Sequence, residues 1–182
     1  YPEEFFAGTE KAGTAPGYAA FFTADITAAK NHADCVIVSF HWGGEGEDTP
    51  KPYQVAAAHR AVDAGADIVI GHHPHVLQGI ESYNNGVIFY SLGNFAFGST
   101  SRTAAVSMIA RVTFDGSVKE VEVIPLNVLN THVRFQPRPL DGSAADRLVT
   151  KIGRLSSGLN NEIAAVNGRY LVFSRPGEIA LK

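Results

Sequence analysis

Two short apolar runs, CVIVSF (35–40) and DIVIG (67–71), flank a helical segment, PYQVAAAHRAVDA (52–64), and this alternation restricts the fold more than any other feature of the chain. Both runs are rich in β-branched residues and lack polar alternation, the pattern of a strand buried on both faces of a sheet. Pro52 opens the helical segment and Gly65 follows its end, as helix termini favour. Strand, helix and strand over so few residues predict a βαβ unit, with parallel neighbours joined by a right-handed crossover.

Around this unit the pattern changes. Residues 1–17 carry Gly8, Gly13, Pro16 and Gly17 and read as an irregular lead-in. Phe22, Ile26, Ala29 and Ala33 have the spacing of an amphipathic helix over 18–33. After the second strand, LQGIESY (77–83) and VIFYSLG (87–93) flank an Asn-Gly turn and predict a hairpin. TAAVSMIARVTF (103–114) and VKEVEVIPL (118–126) predict a second one around Asp115-Gly116. PRPLDG (137–142) reads as a linker, a last helix is expected from Ser143 or Asp146 to about Leu155, and RYLVFS (169–174) as a strand. The expected class is α/β, with parallel strands first and antiparallel strands after.

Composition excludes several functions. Hydrophobic residues make up 45% of the 182, charged residues 18%, which is globular rather than disordered. A formal charge of −3 argues against a module that lives on phosphate attraction, so no nucleic-acid partner is expected. No run approaches the roughly 18 apolar residues of a membrane helix, and YPEEFFAGTEKAG lacks the order of a signal peptide. The lone Cys35 excludes an internal disulfide framework and is expected to pack in the core.

The chemistry is concentrated in histidines. His41 follows the first parallel strand, and His72, His73 and His75 follow the second in GHHPH. Parallel neighbours would bring both groups to the carboxyl edge of the sheet, where open α/β sheets bind ligands. Pro74 favours an extended backbone at His73, so His73 and His75 are expected to project together and His72 away from them. With His41 converging, such a set suits a divalent transition metal. His72, Trp42 and Asn94 of SLGNF are candidates for contacting substrate or supporting the ligands. Glu45, Glu47 and Asp48 lie in a Gly/Pro loop and read as a solvated charge run, from which one ligand could come. His32, His59 and His132 lie outside this placement and are not expected to serve a site.

VIVSFHWG (36–43), AHRAVDAGADIVIGHHPHVLQGIE (58–81) and VIFYSLGNFAFG (87–98) resemble, in order and spacing, the bacterial CapA-type capsule-synthesis or poly-gamma-glutamate biosynthesis family, which is similar to the calcineurin-like metallophosphoesterases. The resemblance covers roughly residues 18–125. It implies part of a four-layer α/β/β/α sandwich with mixed strands, a metallophosphoesterase-like domain over 1–136 and an extension of unknown role over 137–182. His41 is implied to match the histidine after the middle strand of those phosphoesterases, and His73-Pro74-His75 their Gly-His-x-His signature. After HWG the family continues toward a Glu-Tyr pair, whereas this chain has Gly44-Glu45-Gly46. The family's opening Gly-Asp strand is absent before residue 41, which implies that part of the domain and of its ligand set lies outside this sequence.

Two functions follow as expectations. One is a metal-dependent hydrolase site holding zinc, manganese or iron, acting on a phosphoester or an anionic polymer at the cell envelope, with little activity in this chain. The other is a non-catalytic polymer-handling or scaffold subunit. Exposed sheet edges are expected to be covered by a second copy or by the upstream part of the domain.

Overall fold

The computed structural model describes residues 3–174 and is α/β, with one mixed and one antiparallel sheet. Helix α1 (Ala19–Lys30) precedes β1 (Ile37–His41), and α2 (Pro52–Asp63) precedes β2 (Ile68–His72). The first hairpin is β3 (Ile80–Tyr83) and β4 (Gly86–Phe89); the second is β5 (Val106–Phe114) and β6 (Val118–Asn127). A single-turn α3 (Asn130–Val133), β7 (Arg138–Pro139), α4 (Gly142–Leu155), β8 (Asn161–Val166) and β9 (Arg169–Ser174) follow.

The βαβ expectation holds: β1 and β2 are parallel, and His41 pairs with His72 at their ends. β4 joins β2 in parallel and β3 closes the sheet antiparallel, giving the order β1-β2-β4-β3. The first strand differs from expectation in one respect. It lies at the sheet's edge, and alternate residues face solvent, Ile37 being 58% exposed. Its apolar run therefore serves one covered face, with Val38 and Phe40 packed beneath the helices.

Alternation along β2 sorts the two cores. Val69 joins Phe22 and Ile26 of α1, and Ala58, Ala61 and Val62 of α2, on one face. Ile68 faces the other way, toward Val87 and Phe89 of β4, Met108 of β5, and Val121 and Val123 of β6. Leu148 and Ile152 of α4 enter this second core. The second sheet runs β5-β6-β9-β8, with β7 also on β6, where a linker was expected. β8 was not foreseen from the sequence. The outer edge of β3 is met by side chains of the C-terminal segment: Ile80 N–H donates to Ser156 Oγ at 2.9 Å, and Asn161 Nδ2 donates to Ile80 O at 3.0 Å. That covers backbone groups that would otherwise lie buried and unpaired.

Three parallel strand ends are strapped together next to the histidines. The Trp42 indole crosses β2 and donates Nε1–H to Tyr90 O beyond β4 at 3.0 Å. It passes directly over Gly71, where a Cβ would lie 2.0 Å from Tyr90 O and 2.3 Å from Trp42 Nε1. Only glycine fits there. Trp42 is buried and stacks on Phe40, ring centroids 4.7 Å apart.

Candidate metal centre

The carboxyl edge of β1 and β2 opens into a cavity of about 500 Å³, bounded on the far side by Ser107 to Ala110 of β5. His41, His72, His73, His75 and Asn94 all line it. The ring centroids of His41 and His73 are 4.7 Å apart, those of His73 and His75 6.0 Å. The three histidines share the cavity, but the group whose donor atoms lie within 4.8 Å of one another pairs His73 and His75 with Glu45 rather than with the expected His41, and the local backbone differs too. His73 and His75 are not extended: both hold left-handed backbone, with φ of 97° and 60°. The loop doubles back on itself to rejoin the sheet, and this overrides the preference that Pro74 imposes locally. His72, the last residue of β2, also lines the cavity. Trp42 does not line the cavity; it forms the strap beneath it.

His75 is held from behind. Its Nδ1 lies 2.8 Å from Asn94 Oδ1, an atom that only accepts, so the contact selects the neutral tautomer that donates from Nδ1 and presents its lone pair at Nε2. This is how a ligating imidazole is normally oriented. Asn94 is 5% exposed, and its Nδ2 has no hydrogen-bond partner among the described residues. A buried amide donor without a partner is costly, and this one belongs to a residue that lines the cavity. His41 has its pKa lowered from 6.5, by partial burial and then by the charges that His73, His72 and His75 would carry. Its imidazole is thereby kept neutral and able to donate a lone pair at neutral pH.

One candidate ligand was left out of the expected set. Glu45, assigned above to a solvated charge run, lies with His73 and His75: a carboxylate oxygen and two imidazole nitrogens fall within 4.8 Å of one another. Glu45 is exposed, as a loop carboxylate should be, but the loop folds back on the histidines and Gly46 N–H donates to Pro74 O at 2.8 Å. The signal available in the sequence was position: Glu45 is four residues past His41, in a glycine-rich loop leaving the same sheet edge. Two imidazoles and a carboxylate are a donor set that zinc, manganese or iron accepts. Bonds of about 2.1 Å in a tetrahedron put donors about 3.4 Å apart, so the set fits after a small inward movement of side chains. Of the other histidines, His59 on α2 is occupied elsewhere, 2.9 Å from Glu81 and stacked on Tyr83.

Comparison with known proteins identifies the family. Residues 1–99 match the family model described as bacterial capsule synthesis protein PGA_cap. The chain is 42% identical over 123 residues to the capsule biosynthesis protein CapA of Bacillus anthracis, covering 67% of this chain and 30% of that protein. It is 42% identical over 125 residues to the PGA biosynthesis protein CapA of Bacillus subtilis, covering 68% and 33%. A probable polyglutamine synthesis accessory protein of Mycobacterium tuberculosis is 42% identical over 71 residues, 39% of this chain and 19% of its own length. The matched stretch spans about a third of each CapA protein. With more than half of its residues inside the family match, this chain belongs to the bacterial capsule synthesis protein PGA_cap family.

Proposed function

We propose that this chain carries part of the metal-dependent hydrolase site of a capsule-polymer biosynthesis protein that works at the cell envelope. The observation that carries the reading is the meeting of Glu45, His73 and His75, with Asn94 fixing the tautomer of His75. His73 Nε2 or Nδ1, His75 Nε2 and the Glu45 carboxylate would hold a divalent ion, with His41 beside them as a further ligand. A bound ion of this kind lowers the pKa of its water and polarises a phosphoryl or acyl oxygen.

The remaining roles belong to the protein's own groups. Asn94 Nδ2 donates to an oxygen of the bound substrate and so gains the partner it lacks. Neutral His41 accepts a proton at its unprotonated ring nitrogen or completes the ligand set. His72 faces the cavity as a contact for an anionic group. Trp42 keeps the ends of β1 and β4 at a fixed separation, and so the histidines they lead into. The substrate class is a phosphoester or an anionic polymer, with hydrolysis of a phosphoester favoured by the likeness to metallophosphoesterases. The fold is read as part of their four-layer sandwich. Residues 1–136 supply every site residue, and residues 138–174 buttress and extend the second sheet. A further strand, from a longer chain or a second copy, would add at the open edge of β1.

A second reading, a non-catalytic polymer-handling subunit, is favoured by one feature: among the described residues a single carboxylate joins the histidines, where two-ion hydrolytic sites use several. Titration with Zn²⁺, Mn²⁺ and Fe²⁺, followed by a phosphodiester assay on the longer protein, tests the choice. Metal binding and activity that both vanish in His73→Ala support the hydrolase. Capsule production that survives His73→Ala supports the scaffold and ends the hydrolase reading.

A further inference from the structure

Gln54 and Gln78 are both 0% exposed, an unusual place for two primary amides. Burying an amide is unfavourable unless its hydrogen bonds are met, and a methionine would fill the same space without that demand. The bonds these amides make lead to one place. Gln54, in the first turn of α2, accepts at Oε1 from Lys51 N–H at 2.9 Å and donates from Nε2 to Gln78 Oε1 at 3.2 Å. Gln78, three residues past His75, donates from Nε2 to Glu47 O at 2.8 Å. The loop also rests on this pair at Gly43, where a Cβ would lie 3.0 Å from the Gln54 amide.

Beyond the Trp42 N–H to His72 O bond at the strand ends, two hydrogen bonds connect the carboxylate loop to the histidine loop, and both land just after Glu45. One runs from Gly46 N–H to Pro74 O, between His73 and His75; the other runs from Gln78 to Glu47 O. Glu45 is exposed, and among the described residues no hydrogen bond or ion pair fixes its side chain. Its closeness to the two imidazoles is set by its neighbours' backbone.

We propose that Gln78, backed by Gln54, is a positioning residue for the Glu45 carboxylate: it fastens the loop that carries this ligand to the loop that carries His73 and His75. The proposal rests on the metal-site reading above. Gln78 touches no ligand atom. It acts by holding the backbone at Glu47, so that the carboxylate meets the ion without an ordering cost at the moment of binding.

The test is a double-mutant cycle read by Zn²⁺ affinity, measured by calorimetry on the 182-residue chain, with His73→Ala as control. Gln78→Met and Glu45→Gln are each expected to weaken binding by about 10-fold or more. The double variant is expected to bind within about twofold of Glu45→Gln alone, because Gln78 works through that carboxylate. If the two effects multiply, or if Gln78→Met binds within twofold of the parent, the positioning role is wrong while the metal site stands. If the parent and His73→Ala bind Zn²⁺ equally, the metal-site reading itself fails. Should Gln78→Met not fold, Gln54→Met breaks the same chain at its far end and enters the same cycle. Hydrogen exchange on the parent adds an independent check. The Gly46 amide must be protected as well as the β1–β2 ladder, and free exchange there overturns the clamp.

Discussion

At the carboxyl edge of the first sheet, two glutamines are wholly buried, two successive ligand candidates hold left-handed backbone, and a tryptophan crosses a glycine with no room for a methyl group. The second sheet is built differently. Val121 and Val123 face the core, while Glu120 and Glu122 on the opposite face pair with Arg169 of β9, and Glu122 also pairs with Arg111 of β5. Hydrogen bonding from Arg169 holds the Glu122 carboxyl below the usual carboxylate range despite its burial. These charged groups lie where long side chains can cover them and reach water. The first sheet's polar groups lie where only a specific loop path can satisfy them. At the site the departures from local backbone rules, at His73 and His75, fall on residues that line one cavity; those of the second region, at Arg134, Phe135, Asn160 and Asn167, fall in turns.

The sharpest way to break this contrast is a methyl group. Gly71→Ala would drive a Cβ into Tyr90 O and Trp42 Nε1, and should cost more than about 4 kcal/mol or prevent folding. Gly116→Ala, in the turn of the second hairpin with open space around it, should cost only about 1 kcal/mol for its positive φ. Urea unfolding of both compares them directly, and similar losses would dissolve the distinction. Next in size, Ile152→Ala on α4 should cost about 3 kcal/mol, since the side chain is 0% exposed within the second core. A loss under about 1 kcal/mol would mean that α4 is merely attached.

Zn²⁺ at 100 times its dissociation constant should stabilise the parent by about 2.7 kcal/mol and His73→Ala not at all. Thermal melts with and without chelator read this difference. Smaller still, His73→Gly should stabilise the metal-free chain by about 0.5–1 kcal/mol, because glycine accepts a φ of 97° that histidine does not. Stabilisation together with lost Zn²⁺ binding would mark the strain as serving the site; a destabilised variant would refute that. The smallest expected effect is acidic. His41 has a lowered pKa when folded, so below about pH 6.5 the unfolded chain binds more protons and stability falls as pH falls. His41→Asn should flatten the slope between pH 6.5 and 5, and an unchanged slope would mean that this imidazole contributes nothing to it.

Local pattern was enough to identify the βαβ unit, both hairpins and the gathering of histidines, since strand runs and their order require parallel neighbours to end together. Even so, it misjudged β1, because an apolar run does not say whether one face or two will be covered. The Pro74 rule gave the right partners for the wrong reason: His73 and His75 converge through a left-handed turn. Glu45 was legible only as a loop carboxylate, since its role depends on hydrogen bonds from Gly46 and to Glu47 that no spacing encodes.

Sequence alone therefore determined the βαβ unit, both hairpins, the parallel order of the first sheet and the family, all of which follow from side-chain periodicity and contiguous motifs; β7 and β8 did not follow from it. Tertiary structure decided which carboxylate joins the histidines, that Gln54 and Gln78 are buried beneath it, and that residues 140–172 complete the second core. These depend on contacts between residues tens of positions apart, whose free energy exists only once the chain has closed those distances.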